Sequence, residues 1–493
     1  MKLIVIGLDG ASFPLIMKFC NEGLLPNISK IIEMGKCAPL NSTIPPHTAP
    51  GWVSSLTGVL PGEHGIYQFW DTQSPNYVGK FMGSNNVAYP YIWDILNEAG
   101  YSTGLINIPM SHPPKKVNGY IITWPLSNTL RYCYPNNLIK EIANNEGHYV
   151  SDLLTMFNGD EKYIYDAIKI TKRRLKTLLY LIKNKSTDFV MSVFTEIDRV
   201  SHFYWHYMND DSVNNKMKNA IKDIYIETDK ILGELLKQID KNTSILVYSD
   251  HGFEKGIMDF YVQTFLIKNK LMYLKKAPKN YCIKGNWFEL ENNDEIYIVD
   301  WDKTIAFMAA PGSYGININL KNRQKLGIVS NQEYDNVCQR IINTLKHVKN
   351  PITNNYLFKS VCKREEVYNG KSLASAPDII LTPENYGIMV SHKLTKDSVF
   401  NMSPEQKGMH STEGIILFYG DKPLDVPNNI EEVAQFILKF FNINIPLYMN
   451  NNSYNIDKSD HMKKNTILSN QKTSYSVSEE ESIKKRLETL GYY

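Results

Sequence analysis

The 493-residue sequence predicts an α/β fold, a doubly wound and mostly parallel sheet flanked by helices, with a cap region inserted into it. Three observations predict this. Short β-branched runs recur, each ending in polar residues and followed by a helical pattern, which is how a parallel sheet covered on both faces reads in sequence. Lys162–Asn184 carries Ile164, Ala167, Ile168, Ile170, Leu175, Leu178 and Leu179 at helical spacing. From about Glu254 to Val390 the pattern turns irregular and aromatic.

Leu3–Leu8 is the first predicted strand, followed directly by Asp9 and Gly10. Ser102–Ile108, Asp188–Phe194 and Ser244–Tyr248 follow, each with chemistry or a turn at its carboxyl end, the edge where open α/β sheets place their ligands. Residues 136–185 read as a helical cover over the sheet. Strands at Glu295–Val299 and Ile316–Leu320 belong to the inserted cap, whose Tyr281, Trp287, Phe288, Tyr297, Trp301, Phe307 and Tyr314 suit either stacking of a base or sugar or simple core packing. The expected organisation is a core over 1–253, a cap over 254–390, a return to the core over 391–448, a linker over 449–477 and a closing helix over 478–493. The linker is rich in Asn, Ser and Lys and lacks apolar residues to bury. Ser478 with Glu481 makes a capping-box pattern for the last helix, Ile483, Leu487 and Leu490 share one face, and Gly491 marks its stop.

Hydrophobic residues at 43% and charged residues at 21% describe ordinary globular material. With 54 Lys and Arg against 51 Asp and Glu, the formal charge of +3 gives no reason to expect a nucleic-acid polymer as partner. The six cysteines form no CxxC pair and read as reduced thiols. The opening apolar run is short and broken by Asp9, and no later stretch reaches the roughly 18 uncharged apolar residues of a membrane helix. A cytoplasmic protein without a membrane is the expectation, with no signal of oligomeric state.

Five segments carry chemistry. Asp9 projects from the first strand's end, either as a functional carboxylate or as part of a plain Asp-Gly turn. In Pro45-Pro46-His47-Thr48-Ala49-Pro50-Gly51-Trp52, Thr48 stands at a helix start, either as an N-cap or as a hydroxyl placed where free N–H groups favour a phosphoryl oxygen or an alkoxide. Asp198 and His202 sit four residues apart on one helical face, close enough to share a metal. His206 repeats the spacing, but Tyr204 and Trp205 beside it favour a packed or substrate-side role. Asp250 and His251 end a hydrophobic strand, where both are costly to desolvate unless paired or metal-bound. His410 offers a further imidazole in the loop before the strand Ile415–Tyr419. Asp9, Asp250 and His251 with Thr48 suit one divalent ion, and Asp198, His202 and His410 a second. Such oxygen and imidazole donors fit Zn²⁺ or Mn²⁺ better than Ca²⁺.

In this order, Ile4–Gly10, Thr48–Trp52, Thr57-Gly58, Pro61–Ile66 and Ser249–Phe253 resemble the type I phosphodiesterase/nucleotide pyrophosphatase branch of the alkaline phosphatase superfamily. Asn107-Ile108-Pro109, Tyr314–Leu320 and Leu487–Tyr492 agree with it too. The resemblance implies an alkaline phosphatase-like fold and a metal-dependent phosphoester hydrolase acting on a small phosphorylated substrate. It implies that Thr48 is the nucleophile, passing through a phosphothreonine that water later hydrolyses, beside two divalent ions. One departure stands out. The family's nucleotide pyrophosphatases carry an Asn about twenty residues after the nucleophile, where this chain reads Tyr67-Gln68-Phe69-Trp70. Gln68, a backbone N–H after Thr48 or a cap residue are the candidates to replace it, and His64 reads as structural. The alternatives are a phosphotransferase or mutase of the same superfamily and a binding module that kept the fold without turnover. A sulfatase is disfavoured because Thr48 cannot be oxidised to formylglycine.

Overall fold

The computed structural model describes residues 1–124, 131–153, 155–283, 287–293, 295–449 and 482–487. Its main sheet has eight strands: β1 Leu3–Leu8, β2 Lys36–Asn41, β3 Thr103–Ile108, β4 Gly119–Thr123, β5 Cys133–Tyr134, β6 Phe189–Phe194, β7 Ser244–Tyr248 and β8 Glu413–Tyr419. They lie in the order β2-β8-β7-β1-β6-β3-β4-β5, and the five from β7 to β4 are parallel. The central strands β1, β6 and β7 are buried along their whole length, because helices cover both faces. That is why they read as unbroken apolar runs.

The predicted doubly wound fold is therefore present, and the boundaries differ only slightly. Asp188 does not enter β6; its Oδ2 accepts from the Ser102 N–H and hydroxyl at 3.0 and 2.8 Å, so both strands begin one residue later than expected. The helix Lys162–Asn184 has the expected bounds and buries Ile164, Ala167, Leu178 and Leu181 on one side. Lys36–Asn41 has no β-branched residue to announce a strand; pairing with β8 makes it one.

Topology dictates where the chemistry gathers. Leu8 pairs with Phe194 and Gly7 with Tyr248, so the carboxyl ends of β1, β6 and β7 come out at one edge. Strand β8 runs antiparallel to β7, which brings its start to that same edge. Gly252–Lys255 and Gly408–Ser411 then pair as a short antiparallel ribbon, setting His410 opposite Phe253.

Three smaller sheets follow β7. Glu289–Asn292, Glu295–Val299 and Leu274–Lys276 form one; Ala306–Phe307, Gly315–Ile318, Ile379–Pro383 and Phe358–Lys363 form another; Met258–Tyr261 pairs with Ile388–Ser391 and Phe400–Asn401 in the third. Most of the aromatic residues here are core: Trp287, Phe288 and Phe307 are buried, and Trp301 stacks on Tyr77 with centroids 3.5 Å apart. Residues 482–487 form a helical turn whose Ile483 and Leu487 are fully buried in the same cluster as Ala49, Phe69 and Trp287. Ser478, Glu481, Leu490, Gly491 and residues 450–477 of the expected linker lie outside the described residues. No described helix is long and apolar enough to cross a membrane.

Candidate active site

All seven candidate residues meet at the carboxyl edge of β1, β6 and β7. Thr48 opens the helix Thr48–Thr57, but it is not the N-cap; His47 is, its Nδ1 accepting the Ala49 N–H at 3.2 Å. Displaced into the first turn, the Thr48 hydroxyl is left to face inward, 3.2 Å from His251 Nε2 and 3.5 Å from Asp9 Oδ1. His251 Nε2 also lies 3.6 Å from Asp9 Oδ1 and 3.2 Å from Asp250 Oδ2. Asp9, Thr48, Asp250 and His251 thus form one group.

The second group is equally tight. His410 Nε2 stands 3.1 Å from Asp198 Oδ1 and 3.1 Å from His202 Nε2, and His202 Nε2 stands 3.4 Å from Asp198 Oδ1. Asp198 and His202 share one face of the helix Glu196–Tyr204, as their spacing requires. His251 Nε2 reaches Asp198 Oδ1 at 4.0 Å, so the two groups adjoin.

Whether these residues suit metal ions is decided by their tautomers. A carbonyl only accepts, so His202 donates Nδ1–H to Gly408 O at 3.0 Å, His251 to Gly252 O at 3.0 Å and His410 to Pro46 O at 3.1 Å. All three Nε2 atoms are left with lone pairs aimed into the cluster, the arrangement that outer hydrogen bonds give metal-ligating histidines. Asp198 Oδ1 and Asp250 Oδ2 are buried without a hydrogen bond. Donors 2.0–2.1 Å from a tetrahedral ion stand roughly 3.3 Å from one another, and the spacings given within each group run from 3.1 to 3.6 Å. The residues fit two divalent cations.

The electrostatics point the same way. Burial, and then the Asp198 charge, hold the Asp9 carboxyl well above its usual range; burial and then Asp9 do the same to Asp250. Burial also pushes at Asp198, but His202 and Arg199 outweigh it and hold that carboxyl low. Burial, with His410 adding to it, pushes His251 well down. Three buried carboxylates this close need positive charge, of which Arg199 beside Asp198 supplies a part.

Several supporting residues escaped the sequence reading. Arg199 is fully buried, pairs with Asp198 and reaches Asp152 Oδ2 at 3.2 Å, while Arg174 pairs with Glu196 at 3.0 Å beneath it. Trp52 donates to Asp9 Oδ2 at 3.3 Å, and the Gly10 N–H donates to Asp250 Oδ1 at 3.2 Å. Only Arg199's position beside Asp198 in the chain could have signalled its role.

Of the residues weighed at the edges, His206 lies in the turn Trp205–Asn209 and packs on Tyr207, centroids 3.7 Å apart. His64 is structural: Nδ1 accepts from the Ile66 N–H, so Nε2–H donates to Ser54 Oγ at 2.9 Å. Gln68 is buried, its amide nitrogen without a hydrogen-bond partner. Phe69, not Gln68, packs on His47, centroids 5.1 Å apart. A cleft opens above the second group, lined by Pro46, His47, His202, Gly312, Tyr314 and His410 among others.

Known proteins share this fold. Phosphonoacetate hydrolase from Sinorhizobium meliloti 1021, solved with phosphonoformate, matches with a TM-score of 0.56 and 16% identity over 88% of this chain and 94% of that one. Murine ectonucleotide pyrophosphatase/phosphodiesterase 5, in an inactive form with AMP, gives 0.52 and 14% over 90% and 96%. The alkaline phosphatase PafA gives 0.53 and 14% over the same shares, 90% and 96%. At these identities the three show a shared alkaline phosphatase-like fold. Among curated proteins no match is found. The model of one family, type I phosphodiesterase / nucleotide pyrophosphatase, matches residues 3–413, and the chain belongs to that family of phosphoester hydrolases.

Proposed function

We propose that this protein is a two-metal phosphoester hydrolase of phosphodiesterase type that acts on a small phosphorylated molecule through a phosphothreonine at Thr48. The observation that carries the reading is the Thr48 hydroxyl: it sits in the first turn of a helix and within 3.5 Å of both Asp9 and His251. Asp9, Asp250, His251 and Thr48 would hold one ion and Asp198, His202 and His410 the other. When bound, the ions neutralise the carboxylates, lower the cost of ionising Thr48 and stabilise charge on the attacking and leaving oxygens. The imidazole and carboxylate donors favour Zn²⁺, with Mn²⁺ as the second choice.

Thr48 Oγ, its proton given up to solvent, then attacks phosphorus in line as the bond to the leaving alkoxide breaks, the alkoxide takes a proton from solvent, and the helix N-terminus stabilises the negative charge of the phosphoryl group. Water attacks the phosphothreonine in turn, releasing phosphate or a monoester and restoring the hydroxyl. In this reading residues 254–390 act as a cap on a core formed by 1–253 and 391–448. The six free cysteines, Cys282 among them exposed, support a reducing, cytoplasmic setting.

The test is hydrolysis of bis-p-nitrophenyl phosphate and p-nitrophenyl phosphate by protein loaded separately with Zn²⁺, Mn²⁺ and Mg²⁺, together with acid-quench trapping of the phosphoenzyme. Thr48→Ala is expected to abolish both turnover and the trapped phosphoprotein. Full turnover in Thr48→Ala would remove the nucleophile assignment, and phosphate transfer to added alcohols in preference to water would move the protein to the phosphotransferases.

A further inference from the structure

We infer that the His47 imidazole is a catalytic hydrogen-bond donor, its Nε2–H holding a non-bridging oxygen of the phosphoryl group that Thr48 attacks. This rests on the function proposed above and goes beyond it by assigning the residue that grips the phosphate.

His47 differs from the three histidines around it in one decisive respect. The Ala49 N–H donates to its Nδ1 at 3.2 Å, and a nitrogen that accepts cannot carry the proton of a neutral ring. The proton is therefore on Nε2. His202, His251 and His410 have the opposite tautomer, each donating from Nδ1 to a carbonyl. Three rings thus present lone pairs suited to cations, and the fourth presents an N–H suited to an anion.

Its placement matches that chemistry. His47 precedes the nucleophile in the chain, is 7% exposed and lines the same cleft as His202 and His410, its ring 6.0 Å from that of His410. A phosphoryl group held in that cleft has His47 among the residues that line it. The ring is also held from two sides. Its Nδ1 is fixed by the N-cap bond, and Phe69 packs edge-on against it. A donor fixed in advance costs no reorganisation when charge builds on the phosphoryl oxygens, which is what makes such donors effective. Phe69 brings no polar atom to the site. It instead orients the residue that does.

The test compares orthovanadate binding by calorimetry, and kcat on bis-p-nitrophenyl phosphate, in Zn²⁺-loaded wild type and four variants. His47→Ser and His47→Asn keep a side-chain acceptor for the Ala49 N–H but cannot reach the position of Nε2; His47→Gln places an amide N–H near it; His47→Ala removes both functions. Metal content and Tm are measured for each. Loss of one oxyanion donor lowers kcat by about 100- to 1,000-fold, so Ser and Asn are expected to lose at least about tenfold in vanadate affinity and about 100-fold in kcat while keeping two metals, with Gln recovering most of both. Wild-type vanadate affinity and kcat in either Ser or Asn would overturn the inference and leave the Thr48 reading standing. A wild type that neither turns over nor binds vanadate would overturn both. In 15N-histidine-labelled protein the His47 Nε2–H resonance is expected to move downfield on vanadate binding, a change that a purely capping role would not produce.

Discussion

His202 Nε2 and His410 Nε2 face each other at 3.1 Å, and both carry lone pairs because each ring's proton is committed to a backbone carbonyl through Nδ1. Two acceptors repel at that distance unless a cation sits between them. His202→Ala or His410→Ala is therefore expected to take bound Zn²⁺ from two per chain to one, read by elemental analysis after dialysis, and to lower kcat by at least about 100-fold. Retention of two ions by either variant would contradict the assignment of these residues to a metal.

The buried carboxylates give metal-free protein a distinctive response to pH. Asp9 and Asp250 have folded values raised above the ordinary 3.8, by burial first and then by neighbouring carboxylates. A raised carboxyl binds its proton more tightly when folded, so its contribution is complete below pH 3.8 and disappears as pH rises through the raised value. Asp198 runs the other way: held low by His202 and Arg199 against the effect of burial, it adds stability above pH 3.8 that is lost as pH falls through the lowered value. In the window above pH 3.8 only the first effect changes with pH. Chelator-treated protein should lose Tm across that window, and the rise in Tm on adding Zn²⁺ should grow with pH. A metal-induced rise independent of pH would show that Asp9 and Asp250 are not what the ions neutralise.

Arg199 links the Asp198, His202 and His410 cluster to the interior, paired with Asp198 on one side and 3.2 Å from Asp152 on the other, all three fully buried. Removing one partner of a buried pair strands the other, at a cost of about 3–5 kcal/mol. Arg199→Met should lower unfolding free energy by that order, measured by urea titration, and weaken Zn²⁺ binding as Asp198 loses its fixed orientation. Loss of stability with unchanged metal affinity would confine Arg199 to packing.

What could be read from the chain follows from the range of each interaction. The strands β1, β3, β6 and β7 announce themselves because central parallel strands must be apolar on both faces. Asp9, Asp198 and Asp250 follow from them, since three polar residues just beyond such strands have nowhere to go but the shared edge. His410 was visible as a histidine before a strand; that the strand is antiparallel, and so delivers its start to the active edge, was not. His47 was hidden for a related reason. A histidine beside the expected nucleophile reads as a neighbour until the Ala49 N–H is seen to fix its tautomer. Arg199 and Asp152 pair across 47 positions, a separation at which no local pattern speaks.

The last described turn, residues 482–487, makes the final prediction. Leu487 and Ile483 are 0% exposed and join the cluster that contains Ala49 and Phe69, one residue from Thr48 and the packing partner of His47 respectively. Arg486, between them, lies close enough to Asp152 and Arg199 to feel both charges. A large apolar side chain truncated in such a place costs about 2–5 kcal/mol. Leu487→Ala should therefore destabilise the whole protein by that order and lower kcat through the loosened surroundings of Thr48 and His47, whereas Lys485→Ala, on the exposed side of the same turn, should change neither. Equal Tm values for the two variants would mean that the closing turn does not dock where its apolar face places it.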